Sequence, residues 1–174
     1  MFTLRCTQRL LRRGLAETGA VNSQADTLLA DWYANILVVR PSHLVVCISE
    51  RTLLPVVVVA KDIKHLPQRV VAALAPVLQS LEVQAPAIEA ELVAMQTCHV
   101  GRTASKRVVG SMNELMFQLE WQLRAHPERS LHEQALRLAE VPMKGAEYSS
   151  PDRATTALFA SATVLGRMGL QSAL

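Results

Sequence analysis

Aromatic residues are scarce in this chain. Its 174 residues include only three Phe, two Trp and two Tyr, while 50% are hydrophobic and 19% are charged. A core must therefore be built mainly from Leu, Val and Ala, and the composition excludes a disordered chain. This length suits one domain and is short for two. We expect a single domain over residues 1–174, with a flexible loop at 16–30 and a frayed C-terminal tail at 160–174.

Long hydrophobic runs are also missing. The longest apolar run, residues 53–60, has the length of a strand and contains Pro55. A membrane-spanning helix needs about 20 consecutive apolar residues. The sequence therefore predicts a soluble, cytoplasmic protein that makes no contact with a membrane.

Cysteine pairs and catalytic motifs are absent as well. Cys6, Cys47 and Cys98 lie far apart and form no CxxC pair, which favours buried, reduced thiols and no metal site. The segment Arg102–Arg107 lacks the GxxxxGK[ST] spacing of a P-loop, and no Ser or Cys lies in a nucleophile-elbow motif. We therefore predict no cofactor, and we assign no catalytic residue.

Hydrophobic periodicity predicts an α+β fold. Residues 2–6 alternate as a half-buried strand does, and three nearly continuous apolar runs follow at 31–39, 43–49 and 53–59. The turns between these runs are short enough to permit only antiparallel neighbours, and both faces of the sheet must be covered. We predict an antiparallel β-meander packed against four to five helices. A further strand is predicted at 97–100, a brief helix ending at Arg13, and longer helices over 67–81, 86–95, 106–126, 130–140 and from Pro151 onward.

Positive charge is concentrated in two short segments. The net charge of the chain is only +3, so clustered cations must be balanced by acidic surface elsewhere. If the two segments adjoin, they form one anion-binding face that can contact nucleic-acid phosphates. The start of the helix at 106 also favours an anion because its backbone N–H groups are free. The predicted anion-binding residues are Arg9, Arg12, Arg13, Arg102, Lys106 and Arg107.

The helix predicted at 106–126 carries two stripes. The first is regular and apolar, from Val108 to Leu123, and it should face the core. The second contains Gly110, Asn113, Phe117 and Trp121. Either the helix is buried on both sides, or Phe117 and Trp121 form an exposed interface for a partner helix or for a second copy of the chain. The second interpretation predicts a homodimer.

Polar residues recur in four motifs on separate elements, at residues 2–11, 31–35, 50–56 and 101–114. Polar side chains are costly in a dry core unless they pair, so we expect at least two of these motifs to touch. They would then share a site. Its predicted members are Asp31, Trp32, Asn35, Glu50, Arg51, Asn113 and Glu114.

The same four motifs, Phe2–Leu11, Asp31–Asn35, Glu50–Val56 and Gly101–Glu114, together resemble a family known as domain of unknown function 6933. The resemblance covers about residues 1–159. It implies a bacterial cytosolic protein, often encoded near mobile or accessory genes, and it implies no particular activity. The chain differs from the family pattern in the loop at 16–30 and at Ala104-Ser105.

Two hypotheses for function follow. The leading one is a non-enzymatic accessory or regulatory protein that recognises a protein or a nucleic acid, because basic residues cluster and no catalytic signature is present. The alternative is an enzyme acting on a phosphate-containing substrate. Its phosphate would be held by Arg102, Lys106 and Arg107, with Asp31, Asn35, Glu50 or Asn113 near the reacting centre.

Overall fold

The computed structural model describes residues 1–18, 25–144 and 149–171, with side chains as far as Thr163 in the last helix. Of the predicted loop, residues 19–24 therefore lie outside the described residues, as do 172–174 of the predicted tail. The strands are β1 Phe2–Cys6, β2 Trp32–Leu37, β3 Leu44–Ser49, β4 Pro55–Val59 and β5 Cys98–Arg102. The α-helices are α1 Gln8–Leu11, α2 Leu66–Ser80, α3 Ala85–Ala94, α4 Lys106–Ala125, α5 Leu131–Ala139 and α6 Pro151–Gln171.

The five strands form one mixed sheet in the order β4-β3-β2-β1-β5. β2, β3 and β4 pair antiparallel, which confirms the predicted meander. β1 pairs parallel with both β2 and β5, so the prediction of an antiparallel sheet is wrong for these strands. The reason is connection length: residues 7–31 and 60–97 are long enough for a crossover, whereas the meander turns are not. The described residues also contain six α-helices rather than four to five.

Helices cover both faces of the sheet and enclose two cores. Alternation along β2 sends Trp32 and Ala34 into the first core, with α1, α2 and α3, and sends Tyr33 and Leu37 into the second, with α4 and α5. This coverage explains why the meander strands are apolar on both faces. None of the described helices combines the length and the apolarity that crossing a membrane requires.

The second face is different over β1 and β5. There the strands present Thr3, Arg5, His99 and Gly101 instead of large apolar side chains. The start of α4 lies on the same face, because the Ser105 amide donates to Tyr33 Oη. Ser105 also caps the helix by accepting a hydrogen bond from the Val108 amide. Polar strand residues and the amino end of a long helix therefore meet on one side of the sheet.

Candidate functional site

All four motifs contribute to one polar cluster, in which the motif at 31–35 supplies two residues and the Glu50 amide donates to the Asp31 carbonyl at 2.8 Å. Arg5 Nη2 lies 2.7 Å from Asp31 Oδ2 and Arg5 Nε donates to the same oxygen at 2.8 Å. Tyr33 Oη donates to Glu50 Oε1 at 3.4 Å and accepts from the Ser105 amide at 3.1 Å. The prediction that at least two motifs touch is confirmed by these contacts. We call Arg5, Asp31, Tyr33, Glu50 and Ser105 the polar cluster.

Asp31 is held at the beginning of β2, where the chain enters the sheet. Its Oδ1 accepts from the Thr3 amide at 2.8 Å while its Oδ2 receives both Arg5 nitrogens. The carboxylate is buried, and each oxygen has a donor, as a buried charge requires. Asp31 thereby ties β1 to β2 at the start of their parallel pairing.

Tyr33 links the sheet to the start of α4. Its ring is fully buried, and burial raises the pKa of the phenol above its usual value. The neutral hydroxyl can therefore donate to Glu50 and accept from Ser105 at neutral pH. The Tyr33 hydroxyl thereby connects β2 to the amino end of α4.

Not every predicted member of the shared site is near the polar cluster. Trp32 points into the first core, on the other face of the sheet from Tyr33, and its Nε1 has no partner among the described residues. Asn35 is on the correct face, but its Oδ1 already accepts from Thr7 Oγ1 at 2.7 Å and from the Ile36 amide at 2.8 Å. Arg51 is exposed, and its interaction is with another carboxyl: burial raises the pKa of Glu91, and the positive charge of Arg51 opposes that rise.

Three members of the cluster were missed in the sequence: Arg5, Tyr33 and Ser105. A usable signal was present, because Arg5, Asp31 and Tyr33 occupy alternate positions of short strands and so share a face. The opposite charges of Arg5 and Asp31 could then have suggested a pair. The partner strand of β1 was not deducible from that pattern.

The six predicted anion-binding residues are all exposed, and the segments that carry them follow or end the neighbouring strands β1 and β5. β1 and β5 are parallel neighbours with Cys6 opposite Arg102, so α1 and the approach to α4 both begin at the same strand ends. α1 packs on the first face and α4 on the second. We call Arg9, Arg12, Arg13, Arg102, Lys106 and Arg107 the basic edge.

An ion pair connects the segments that carry the two halves of the basic edge. Arg102 Nε lies 3.0 Å from Glu17 Oε1, and Glu17 follows Arg12 and Arg13 after a turn at Gly14, whose φ is +103°. Thr18 then runs beside β5, since its amide donates to the Val100 carbonyl at 3.1 Å. The segment that carries the first basic group is thus attached to the strand that carries the second.

The second stripe of α4 faces outward. Phe117 is 76% exposed and Trp121 is 64% exposed, so the interpretation that α4 is buried on both sides is wrong. A Cβ built on Gly110 would meet nothing within 4 Å, so this glycine admits no close neighbour among the residues that the structure describes. We call Gly110, Asn113, Glu114, Phe117, Trp121 and Arg124, all of them exposed, the outer face of α4.

The thiols are unsuited to nucleophilic chemistry. Cys6 and Cys47 are buried, Cys98 is half-buried, and all three are free. Burial raises the pKa of the Cys6 and Cys98 thiols to about 12, so both are protonated at neutral pH. Among the described residues there is also no group of three His, Cys, Asp or Glu side chains that could hold a metal ion.

Comparison with known families agrees with the resemblance seen in the four motifs. Residues 3–154 match a family model described as "Domain of unknown function (DUF6933)". The matched region contains the whole polar cluster and the whole basic edge. No curated protein matches the chain.

Proposed function

This chain belongs to the DUF6933 family, and we propose that it is a non-enzymatic binding protein whose basic edge contacts the phosphates of a nucleic acid. The supporting observation is the Arg102–Glu17 ion pair, at 3.0 Å. Glu17 follows Arg12 and Arg13 closely in the chain, so this contact attaches the segment after the first basic cluster to the strand that carries Arg102. We infer from it that the two clusters, which are distant in sequence, form one charged surface.

The concentration of charge favours a polyanion over a small neutral ligand. The basic edge contributes six cations to a chain whose net charge is +3, and Arg102 of this set pairs with Glu17. Exposed arginine and lysine side chains at the rim of a sheet suit phosphate contacts, which need no deep pocket. Such binding is expected to be insensitive to base sequence.

The alternative of a phosphate-dependent enzyme has less support. Two of its four candidate reacting groups are already engaged: the Asp31 carboxylate binds Arg5 and the Thr3 amide, and Asn35 Oδ1 accepts two hydrogen bonds. Arg102, one of the three proposed phosphate ligands, is paired with Glu17. A binding protein does not need Asp31 or Asn35 to be free for chemistry.

Salt-dependent binding tests the proposal. Fluorescence anisotropy with a labelled duplex of about 20 base pairs, begun at about 50 mM salt, should show binding that weakens with a log–log slope of about −0.9 per phosphate contacted. The triple variant Arg12→Ala, Arg13→Ala, Lys106→Ala should flatten the slope by about 2 to 3. These three substitutions should not alter the fold, because exposed charges contribute little to stability.

A matched control removes the same charge elsewhere. Lys64, Arg137 and Arg153 are exposed and belong to other elements, so their triple alanine variant should keep the slope of the original protein. Failure of both duplex DNA and single-stranded RNA to bind at about 50 mM salt would overturn the proposal. An equal loss in the control variant would also overturn it, because the basic edge would then have no special role.

A second candidate is recognition of another copy of the chain through the outer face of α4. The exposure of Phe117 and Trp121 favours it, since interfaces are enriched in such aromatic anchors. Charge favours an antiparallel arrangement. If Phe117 faces Trp121 of a second copy, helical spacing also places Glu114 opposite Arg124 of that copy, and the two helix dipoles oppose each other.

A further inference from the structure

A cavity of about 710 Å³ lies away from both the polar cluster and the basic edge. It is formed where the β2–β3 turn, residues 38–43, meets the end of α4 and the start of α5. Its size falls within the range of small-molecule sites, which is about 300–1,000 Å³. The proposed nucleic-acid binding does not use it, and of its lining only Arg124 also belongs to the outer face of α4.

The floor of the cavity is apolar. Val39, Val59, Leu123 and Leu131 line it, and all four are only partly buried against the second core. Leu44 of β3 completes the floor and is almost fully buried. These side chains leave apolar surface in contact with water, and binding of an apolar ligand is favourable because it removes that surface from water.

The rim of the cavity is mainly cationic. Arg40, Arg124 and Arg129 line it, together with the single acid Glu120. Glu120 is paired with Arg124 at 2.5 Å. The Arg40 side chain, in contrast, has no hydrogen bond or ion pair among the described residues, so its guanidinium is available to a ligand.

His43 adds a further polar group at the rim. Its Nδ1 lies 3.1 Å from the Val39 carbonyl oxygen, and that oxygen can only accept, so Nδ1 carries the proton in this contact. The ring is therefore held in place by its own turn. The cavity thus combines an apolar floor, a fixed polar wall and an uncommitted guanidinium, which is the usual composition of a site for an amphipathic ligand.

We propose that this cavity binds a small amphipathic anion, consisting of an apolar body that covers the floor and one carboxylate that pairs with Arg40. A guanidinium binds a carboxylate through two parallel hydrogen bonds, which gives both strength and orientation. A neutral apolar molecule leaves Arg40 unpaired. A small anion without an apolar body leaves the floor in water. Only a ligand with both an apolar body and a carboxylate covers the floor and pairs with Arg40.

Decanoate is a suitable probe, with decanol as its neutral analogue and acetate as an anion without an apolar body. Isothermal titration calorimetry of the full chain, below the micelle concentration of decanoate, should show one decanoate per chain. Decanol should bind up to about tenfold more weakly, because its hydroxyl cannot form the charge-assisted, paired hydrogen bonds that a carboxylate forms with a guanidinium. Acetate should show no measurable heat.

Two variants locate the binding. Arg40→Gln should weaken decanoate about tenfold and leave decanol unchanged. Val38 stands at the rim and is 44% exposed, so Val38→Glu should place a repelling carboxylate there without unfolding the protein. The control is Val93→Glu, at a site on α3 that is 57% exposed, and it should bind decanoate normally.

Each contrary result overturns the proposal. Absence of decanoate binding removes the site, and equal affinity for decanol removes the role of the anion. Normal decanoate binding by Val38→Glu, with an unchanged thermal unfolding curve, shows that the ligand binds elsewhere. Because no variant touches the basic edge, these outcomes are independent of nucleic-acid binding.

Discussion

Arg5 and Asp31, which are 26 residues apart in the chain, form a partly buried ion pair between two parallel strands. Arg5 Nη2 lies 2.7 Å from Asp31 Oδ2, and the arginine side chain is 27% exposed. The carboxylate also accepts the Thr3 amide at 2.8 Å. The Asp31 carboxylate therefore holds two donors of β1, the Thr3 amide and the Arg5 guanidinium.

Loss of Asp31 should destabilise the protein strongly. Asp31→Ala removes the acceptor of the Thr3 amide and leaves Arg5 without its partner in a partly buried place. We expect the free energy of unfolding in urea to fall by about 3 kcal/mol. Glu140→Ala, which breaks the exposed pair with Arg137, should cost less than about 1 kcal/mol. Similar losses in the two variants would contradict the role given to Asp31.

Glu91 should make stability depend on pH. This carboxyl is buried on α3 and accepts the Leu28 and Leu29 amides at 2.7 and 3.0 Å. Burial raises its pKa above the ordinary value of 4.5. The folded state therefore binds the proton more tightly than the unfolded state, and the contribution of this group to stability falls as pH rises from the ordinary pKa through the raised one.

The comparison with Glu91→Gln measures this effect. The amide cannot ionise, so the variant should gain stability relative to the original protein as pH rises above about 4.5. Urea unfolding of both proteins at several pH values between about 4 and 8 gives the difference directly. If the stabilities of the two proteins change in parallel with pH, or if their difference grows toward low pH, then the pKa of Glu91 is not raised by burial.

Self-association should depend on the outer face of α4. Sedimentation at micromolar concentration should show a dimer for the original chain and a monomer for Trp121→Ala, because a central aromatic anchor contributes about 2 kcal/mol or more to an interface. Glu114→Arg should weaken the dimer by placing a cation opposite Arg124 of the second copy, and adding Arg124→Glu should restore it. A monomer for the original chain at all concentrations would rule out this second candidate.

Local chemistry in the sequence determined the elements themselves. Ser105 and Ser130 directly precede α4 and α5, and each side chain accepts a hydrogen bond in the first turn, with a complete capping box at Ser130 and Glu133. The meander was determined in the same way, because its turns are too short for any other pairing. The two basic segments and the stripe with Phe117 could also be recognised from spacing alone.

The tertiary structure decided which elements are neighbours. Long connections leave the partner of a strand open, so the parallel pairing of β1, and with it the Arg5–Asp31 pair, could not be deduced from sequence. Periodicity placed Phe117 and Trp121 on one stripe, but only the packing of the chain shows that both side chains are exposed. The cavity beside Arg40 likewise exists because three distant segments meet there, and contacts between distant segments leave no local pattern in the sequence.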